Sequence, residues 1–545
     1  MEQINTIPGA QNLYQICRKS ACHDTGICFH SRNPEKSPGR ISYRELLERA
    51  NEDASHISRI PGMRPDRVIL LHFDRHKHSI RWFWAVIAAG YVPAISPPLT
   101  SDLSQRKKHL NPVVLTSTTA SLELDFQNHR TQTVESFPPF STASKSTHLP
   151  PGDLKKHDDL AVLMLTSGSS GNPKAVCLQH GQIVHALKGK IASHQTKQED
   201  RFLNYIGLDH VANLTEIHLH AMYLGAEQTH IAGSGVMKDP LLFLRLIHEH
   251  RISYSFATKS LLASLVRRLK DDVPDQLDLS CLKALVTGGD ASPIATCTSL
   301  IGMLQKHGAA DNFLRPGFGM TETCAGCTYN KACPEYEQER SLDYASQGNP
   351  TQAIETRVVS TQDQASPVLP SGVKSSLQLR GHAVFAEYFN DAQATAEAFT
   401  PDGWFRTGDD AVIHADGHLV IVGRAKEAFA INDKDFLPLD FETAVQKADI
   451  PGVDPAYVVA FARHWPAHAE SYCVLYVPAC GYGDINARSE SSEAIAKECV
   501  GLCGVLPLDV LAVDKASLDV SSLGKISRVK TRKAYESGAF SSSGG

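Results

Sequence analysis

The stretch TSGSSGNPKA, residues 166–175, decides how this chain is read. It lies between the apolar run AVLML (161–165) and VCLQHGQIVHALKGK (176–190), which reads as a strand tail followed by a helix. Gly168 and Gly171 let backbone N–H groups approach an anion. Thr166, Ser167, Ser169 and Ser170 add hydroxyl donors, and Lys174 adds charge. Together these have the chemistry of a phosphate cradle, although a polar strand-to-helix turn is the plainer reading. The stretch is not a Walker loop, in which GxxxxGK runs directly into Ser or Thr. Here Lys174 stands between Pro173 and Ala175. GSSG also lacks the GxSxG spacing of a nucleophile elbow, which argues against a serine hydrolase.

Working outward, strand-like and helix-like segments alternate. LLFLRLIHEH (241–250) and KSLLASLVRRLK (259–270) have helical spacing, while ISYSFA (252–257) and KALVTGG (283–289) read as strands. Such alternation predicts an α/β fold of parallel sheets covered by helices, with ligands beyond the carboxyl ends of the strands. From about residue 350, short runs such as ETRVVS and HLVIVG between turn pairs predict a β-rich subdomain. The expected division is a core of residues 1–425, with that subdomain at about 350–425, and a small α+β domain of residues 426–545. GAFSSSGG at the end reads as a frayed tail or the start of a linker.

The chain of 545 residues is too long for a single core. A net charge of −5 without long basic runs gives no case for nucleic acid. WFWAVIAAGYVPAI (82–95) is too short to span a bilayer and reads as a buried helix entering a strand. The first residues lack the basic start and apolar core of a secretory signal, and the 13 scattered cysteines fit reduced thiols, so a cytoplasmic setting is expected. Cys324 and Cys327 form a lone CxxC without a second pair to complete a zinc site. The plainer account is a pocket-side helix using cysteine as a small hydrophobe. His218, His220 and His230 read as structural, since HLH directs successive side chains to divergent helix faces.

Five segments in order over nearly the whole chain resemble the AMP-forming adenylating superfamily of acyl-CoA synthetases, fatty-acyl-AMP ligases and peptide-synthetase adenylation domains. They are the 166–175 loop, FGMTET (318–323), GWFRTGD (403–409), VGRAKE (422–427) and SSLGKISR (521–528). The reaction implied is attack of a carboxylate on the α-phosphate of ATP, giving an acyl adenylate and pyrophosphate. Its reactants are all anions, so the problem is electrostatic. By this resemblance the loop would hold the β and γ phosphates, Thr321 the α-phosphate, and Glu322 a Mg²⁺ ion, a hard cation suited to carboxylate oxygens. Phe318 would lie against adenine, Asp409 would take the ribose hydroxyls, and Arg424 would help hold the nucleotide. Lys525 would be the catalytic lysine, bridging carboxylate and α-phosphate. It would be carried in by a small domain turning about Lys426 at the hinge, one pose making the adenylate and the other admitting a thiol.

GLDHVANL (207–214) is similar to a histidine segment of acyl-CoA synthetases, which implies His210 beside the substrate carboxylate. Gly207 and Asn213 depart from that pattern. Amino-acid-activating relatives place an aspartate where Val211 stands, and a buried ammonium without a partner is costly. An α-amino acid is therefore disfavoured, with Asp209 close by as the competing partner. The family's other pocket positions correspond to Val286, Gly288, Gly317 and Ala325, leaving room for an aryl or medium-length acyl group. INDKDFLPLDFE (431–442) resembles the fatty-acyl-AMP ligase form, with Asp433, Phe436 and Leu437 substituted. Those relatives load the phosphopantetheine of a carrier protein. The expectation is a loading adenylation domain of a polyketide or mixed synthase. A free-standing ligase using CoA, an amino-acid-activating domain and a nucleotide-binding non-enzyme stand as alternatives.

Overall fold

The computed structural model describes residues 9–30, 38–64, 67–73, 75–95, 113–116, 131–134, 150–166, 174–271, 276–360, 367–432, 434–465, 468–479, 485–520 and 526–540. Two large sheets carry the first two-thirds of the chain. One has six strands in the order Thr131–Thr133, Val113–Thr116, Val68–His72, Val92–Ile95, Leu160–Thr166 and Lys174–Gln179. All its pairings are parallel except the last. The other has nine strands, and its interior runs parallel through Leu314–Met320, Ala284–Thr287, Tyr254–Ala257, Arg201–Asn204, Glu227–His230 and Gly26–Phe29. Antiparallel strands close both of its edges.

Period-two burial explains why these strands are apolar throughout. Val68 and Leu70 face one cluster with Val92, Ala94 and Leu163, while Ile69 and Leu71 face the main core. The helix His76–Ala88 buries Trp82, Phe83 and Trp84 before the chain enters Val92–Ile95, as the apolar run 82–95 predicts. The Trp84 indole N–H donates to Nε2 of His218 at 2.9 Å, and His218 Nδ1 meets Gln228 Oε1 at 3.0 Å. His220 Nε2 lies 2.8 Å from the Thr196 hydroxyl. His218 thus ties its helical stretch to the strand Glu227–His230, and His220 ties the helix Leu219–Leu224 to the loop after His194.

Past residue 350 a four-stranded antiparallel sheet forms, in the order Glu355–Val359, Ser375–Arg380, Phe405–Ile413 and Leu419–Arg424. Beyond it the cores separate. Val458, Ala460, Tyr472 and Val474 pack with Phe441 and Ile495 on one face of a three-stranded sheet. Tyr457, Val459, Phe461, Cys473 and Leu475 form the core of the other face. This C-terminal unit touches the larger one through Arg267 and Asp454 (3.4 Å), Lys447 and Asp343 (2.5 Å), and the hydroxyls of Tyr344 and Thr443. No described helix is long and apolar enough to cross a membrane.

Candidate functional site

A cleft of about 1460 Å³ opens beyond the carboxyl ends of the strands Leu160–Thr166, Tyr254–Ala257 and Ala284–Thr287. It collects most of the residues singled out from the sequence: Thr166, Lys174, His210, Val211, Val286, Gly288, Gly317, Phe318, Thr321, Glu322, Ala325, Arg424 and Lys426 all line it. Ser167, Gly168, Ser169, Ser170 and Gly171 lie outside the described residues, as do Lys525 and Asp433. The base of the 166–175 loop is described. Thr166 pairs with Lys174 across an antiparallel hairpin, its hydroxyl donating to the Lys174 carbonyl at 3.3 Å.

Lys174 faces an acidic site through an aromatic ring. Its Nζ lies 4.4 Å from the centre of the Tyr388 ring, and the Tyr388 hydroxyl donates to Oε1 of Glu322 at 3.0 Å. Glu322 is 8% exposed. Burial raises its pKa, and the Tyr388 hydrogen bond, Arg424 and Lys174 oppose the rise. Its own backbone N–H also reaches the carboxylate and opposes the rise. A hard oxygen donor at the wall of a cleft fits a magnesium ion that completes its shell with substrate phosphates and water. No cluster of three metal-ligating His, Cys, Asp or Glu side chains occurs among the described residues.

Asp409 does not line the cleft. It is buried in the strand Phe405–Ile413, and its Oδ1 lies 3.0 Å from Nε of Arg424, the residue paired with it across the sheet. Arg424 does line the cleft, so Asp409 meets it through that guanidinium. Phe318 is half-buried at the wall, its N–H donating to the Thr328 hydroxyl at 3.2 Å.

On the acyl side, the Ala212 N–H donates to Nδ1 of His210 at 3.1 Å, which makes that nitrogen the acceptor and puts the ring proton on Nε2. Asp209 lines the cleft beside it. Gly288 and Gly317 are glycine for a reason besides room for substrate. A Cβ on Gly288 would stand 2.6 Å from the Gly317 carbonyl oxygen, and one on Gly317 would stand 2.5 Å from that of Thr328. The expected pocket-side helix around the CxxC is not formed. Thr321–Thr323 makes one tight turn, and Ala325–Tyr329 is an edge-side strand holding Cys327. Cys324 and Ala325 both take positive φ, 55° and 68°. The antiparallel pairing with Leu314–Met320 overrides helical propensity here. Both thiols are buried, and burial pushes them up to about 12 and about 11.

The C-terminal unit supplies the remaining wall. Val520 and Ile526 line the cleft and bridge to each other, and the Ser527 N–H donates to the Asp519 carbonyl at 2.9 Å. Next to them Arg528 is clamped. It grips Glu442 with Nη2 at 3.0 and 3.1 Å and pairs with Glu427, which follows Lys426 in the turn Ala425–Glu427. Tyr388, Arg528, Glu216 and Lys190 were not among the residues drawn from the sequence. Arg528 closes the motif SSLGKISR, whereas Glu216 stands as a single acid in NLTEIHL without a motif around it.

Comparison with known proteins agrees with this arrangement. Residues 17–389 match the AMP-binding enzyme family model. Over 552 residues the chain is 42% identical to nonribosomal peptide synthetase acyN of Ascocoryne sarcoides, covering 97% of this chain and 58% of that protein. It is 40% identical to microperfuranone synthase of Emericella nidulans, with 98% and 58% covered. The chain thus spans a little over half the length of these relatives. Among solved structures, McyG A-PCP complexed with phenylalanyl-adenylate superposes with a TM-score of 0.87 at 25% identity, covering 97% of this chain and 84% of that one. A multidomain structure from a keto acid-selecting nonribosomal peptide synthetase module superposes at 0.85 with 23% identity, covering 99% and 47%. The chain belongs to the AMP-binding enzyme family. It is an adenylating, AMP-forming ligase.

Proposed function

We propose that this chain works in the cytoplasm as a loading adenylation domain. It activates a carboxylic acid without an α-amino group, a keto or aryl acid, and hands the acyl group to the phosphopantetheine thiol of a carrier domain. The observation that carries this reading is the convergence on one cleft of Lys174, the Tyr388–Glu322 pair, Thr321, Arg424 and the strand ends flanking residues 521–525. In the first half-reaction a carboxylate oxygen attacks the α-phosphorus of ATP. The bond from that phosphorus to the bridging oxygen breaks, and pyrophosphate leaves. In this proposal Lys174 and the 167–171 loop hold the β and γ phosphates, and Thr321 contacts the α-phosphate. Phe318 flanks adenine, and Arg424 holds the ribose side with Asp409 paired behind it. Glu322 would hold a magnesium ion, which would supply charge neutralisation when bound. Lys525 supplies the mobile cation between carboxylate and α-phosphate, with His210 beside the carboxylate. In the second half-reaction the thiol sulfur bonds to the acyl carbon, the acyl–phosphate C–O bond breaks, and AMP leaves with the thiol proton released to solvent. Lys426 is the proposed pivot between the two poses, dividing a unit of residues 1–425 from one of residues 426–545.

Val211 offers no charge to a substrate ammonium, and one structural neighbour comes from a keto acid-selecting module. These favour the non-amino acid. Asp209 at the cleft wall favours the second reading, an α-amino acid paired with that carboxylate. The carrier acceptor is supported by the name of one relative, a nonribosomal peptide synthetase, and by the A-PCP neighbour. ATP–pyrophosphate exchange over a panel of keto, aryl, fatty and α-amino acids tests the assignment. Exchange with keto or aryl acids is expected. Exchange with amino acids alone would replace it with the second reading, and exchange with no acid would leave a nucleotide-binding protein. Supplying the adenylate with CoA or with a phosphopantetheinylated carrier then decides the acceptor, and the carrier is expected to be acylated.

A further inference from the structure

The acyl side of the cleft ends on charges. Glu216 and Tyr329 line it, and behind Glu216 lies Lys190, with side-chain exposures of 1% and 0% for the acid and the lysine. Lys190 Nζ donates to Glu216 Oε2 at 3.0 Å, to the Tyr329 hydroxyl at 3.2 Å and to the Gly326 carbonyl. Those are all three donors an ammonium has. Glu216 Oε1 accepts from the Tyr254 hydroxyl at 2.7 Å and the Tyr329 hydroxyl at 2.9 Å, and Oε2 also accepts from the Gly326 N–H at 3.2 Å. Burial alone would raise the Glu216 pKa, but Lys190 and the Tyr254 hydroxyl outweigh it and hold the carboxyl below its ordinary range. The group is an anion with its lone pairs already taken.

Its place follows from the chain. Glu216 sits in the π-helical stretch Ala212–His218 immediately after His210 and Val211, and the neighbouring Thr215 hydroxyl donates to the Cys324 carbonyl at 2.6 Å. Tyr329 pairs with Gly317 across the sheet, and its ring lies 4.2 Å from that of His194, which meets Arg315 Nη1 at 3.0 Å. The cleft lining stops at Glu216 and Tyr329. Lys190, His194, Tyr254 and Arg315 lie behind it, all buried.

We propose that Lys190, Glu216 and Tyr329 form the end wall of the acyl pocket and set its depth, so that the enzyme selects compact, aryl-sized acids by length. This rests on the reading of the chain as an acid-adenylating enzyme. A longer apolar tail would have to part a buried ion pair and strand its charges, which is strongly unfavourable. A polar tip gains nothing either, because the saturated network has no vacant donor or acceptor to give it. The wall therefore filters size and is indifferent to a hydroxyl at the far end.

The test is ATP–pyrophosphate exchange by the full chain with ω-phenyl 2-oxo acids lengthened one methylene at a time. The expected wild-type result is a sharp cut-off, with kcat/KM falling about 10-fold or more at one step and the change carried by KM for the acid. Flat or rising activity with length would overturn the proposal. The paired variant Lys190→Met with Glu216→Ala removes both charges together, so neither is stranded. It is expected to move the cut-off to longer acids while KM for ATP stays put. A folded double variant with the wild-type ratio of long to short acids would also overturn it, because a merely structural role lowers all acids alike. If the double variant does not fold, the wild-type series decides alone. Exchange with short acids but no cut-off defeats only the end wall, whereas no exchange with any acid defeats the adenylation reading and the end wall with it.

Discussion

A methyl group on Gly288 would stand 2.6 Å from the carbonyl oxygen of Gly317, so strand packing fixes this small residue whatever room it leaves for a substrate. Gly288→Ala is expected to destabilise the protein by about 1–3 kcal/mol, read as a lower midpoint in urea with an unchanged slope. From the sequence alone the two reasons for a glycine look the same, because close approach of strands far apart in the chain leaves no local mark. Glu322 was legible in FGMTET, whereas Tyr388, which hydrogen-bonds it, is 66 residues away and announced by nothing nearby. Glu322→Gln keeps the shape and removes the charge. Exchange is expected to fall by about 10²–10³, with a higher magnesium concentration needed for half-maximal rate. An unaltered magnesium dependence would take Glu322 out of the metal's shell.

Elements were easier to read where one period ran long. The helices Leu241–His250 and Lys259–Asp271 and the strand Tyr254–Ala257 fall where the spacing of apolar residues puts them. The segment around Cys324 misleads because its φ values are set by antiparallel pairing and a tight turn, not by its own propensities. The clamp on Arg528 also belongs to this scale. It ties the helix Arg528–Glu536 to Glu427 in the turn Ala425–Glu427 and to Glu442 on the helix Pro438–Lys447. Arg528→Ala strands two carboxylates, one of them buried, and is expected to cost about 3 kcal/mol of stability. In the folded fraction kcat for exchange should fall while KM for ATP stays near wild type. A rise in KM for ATP with kcat intact would show instead that Arg528 serves nucleotide binding.

Across the molecule, buried histidines couple stability to pH. Burial lowers His180 to about 3 and His218 and His220 to about 4, and holds His194 and His230 well below the ordinary 6.5. Between about 6.5 and those values the unfolded chain binds protons that the folded one refuses, so stability rises with pH there and is lost as pH falls. Denaturant midpoints measured from pH 7 to pH 5 should drop steadily, and a flat profile would mean that these rings protonate without unfolding. The two-sheet core with its smaller C-terminal unit was readable from alternation and from the order of five motifs. The closed ends of the cleft were not, because Lys190, Glu216 and Tyr329 meet only through the fold. The proposed function turns on one step, the joining of a carboxylate to AMP in this cleft with the help of Lys525. The most direct test compares acid-dependent ATP–pyrophosphate exchange in the wild type and in Lys525→Ala, with ATP binding measured on both. The account predicts exchange in the wild type and a loss of at least about 10² in the variant, whose ATP affinity stays close to normal. Near-wild-type exchange by Lys525→Ala would contradict it.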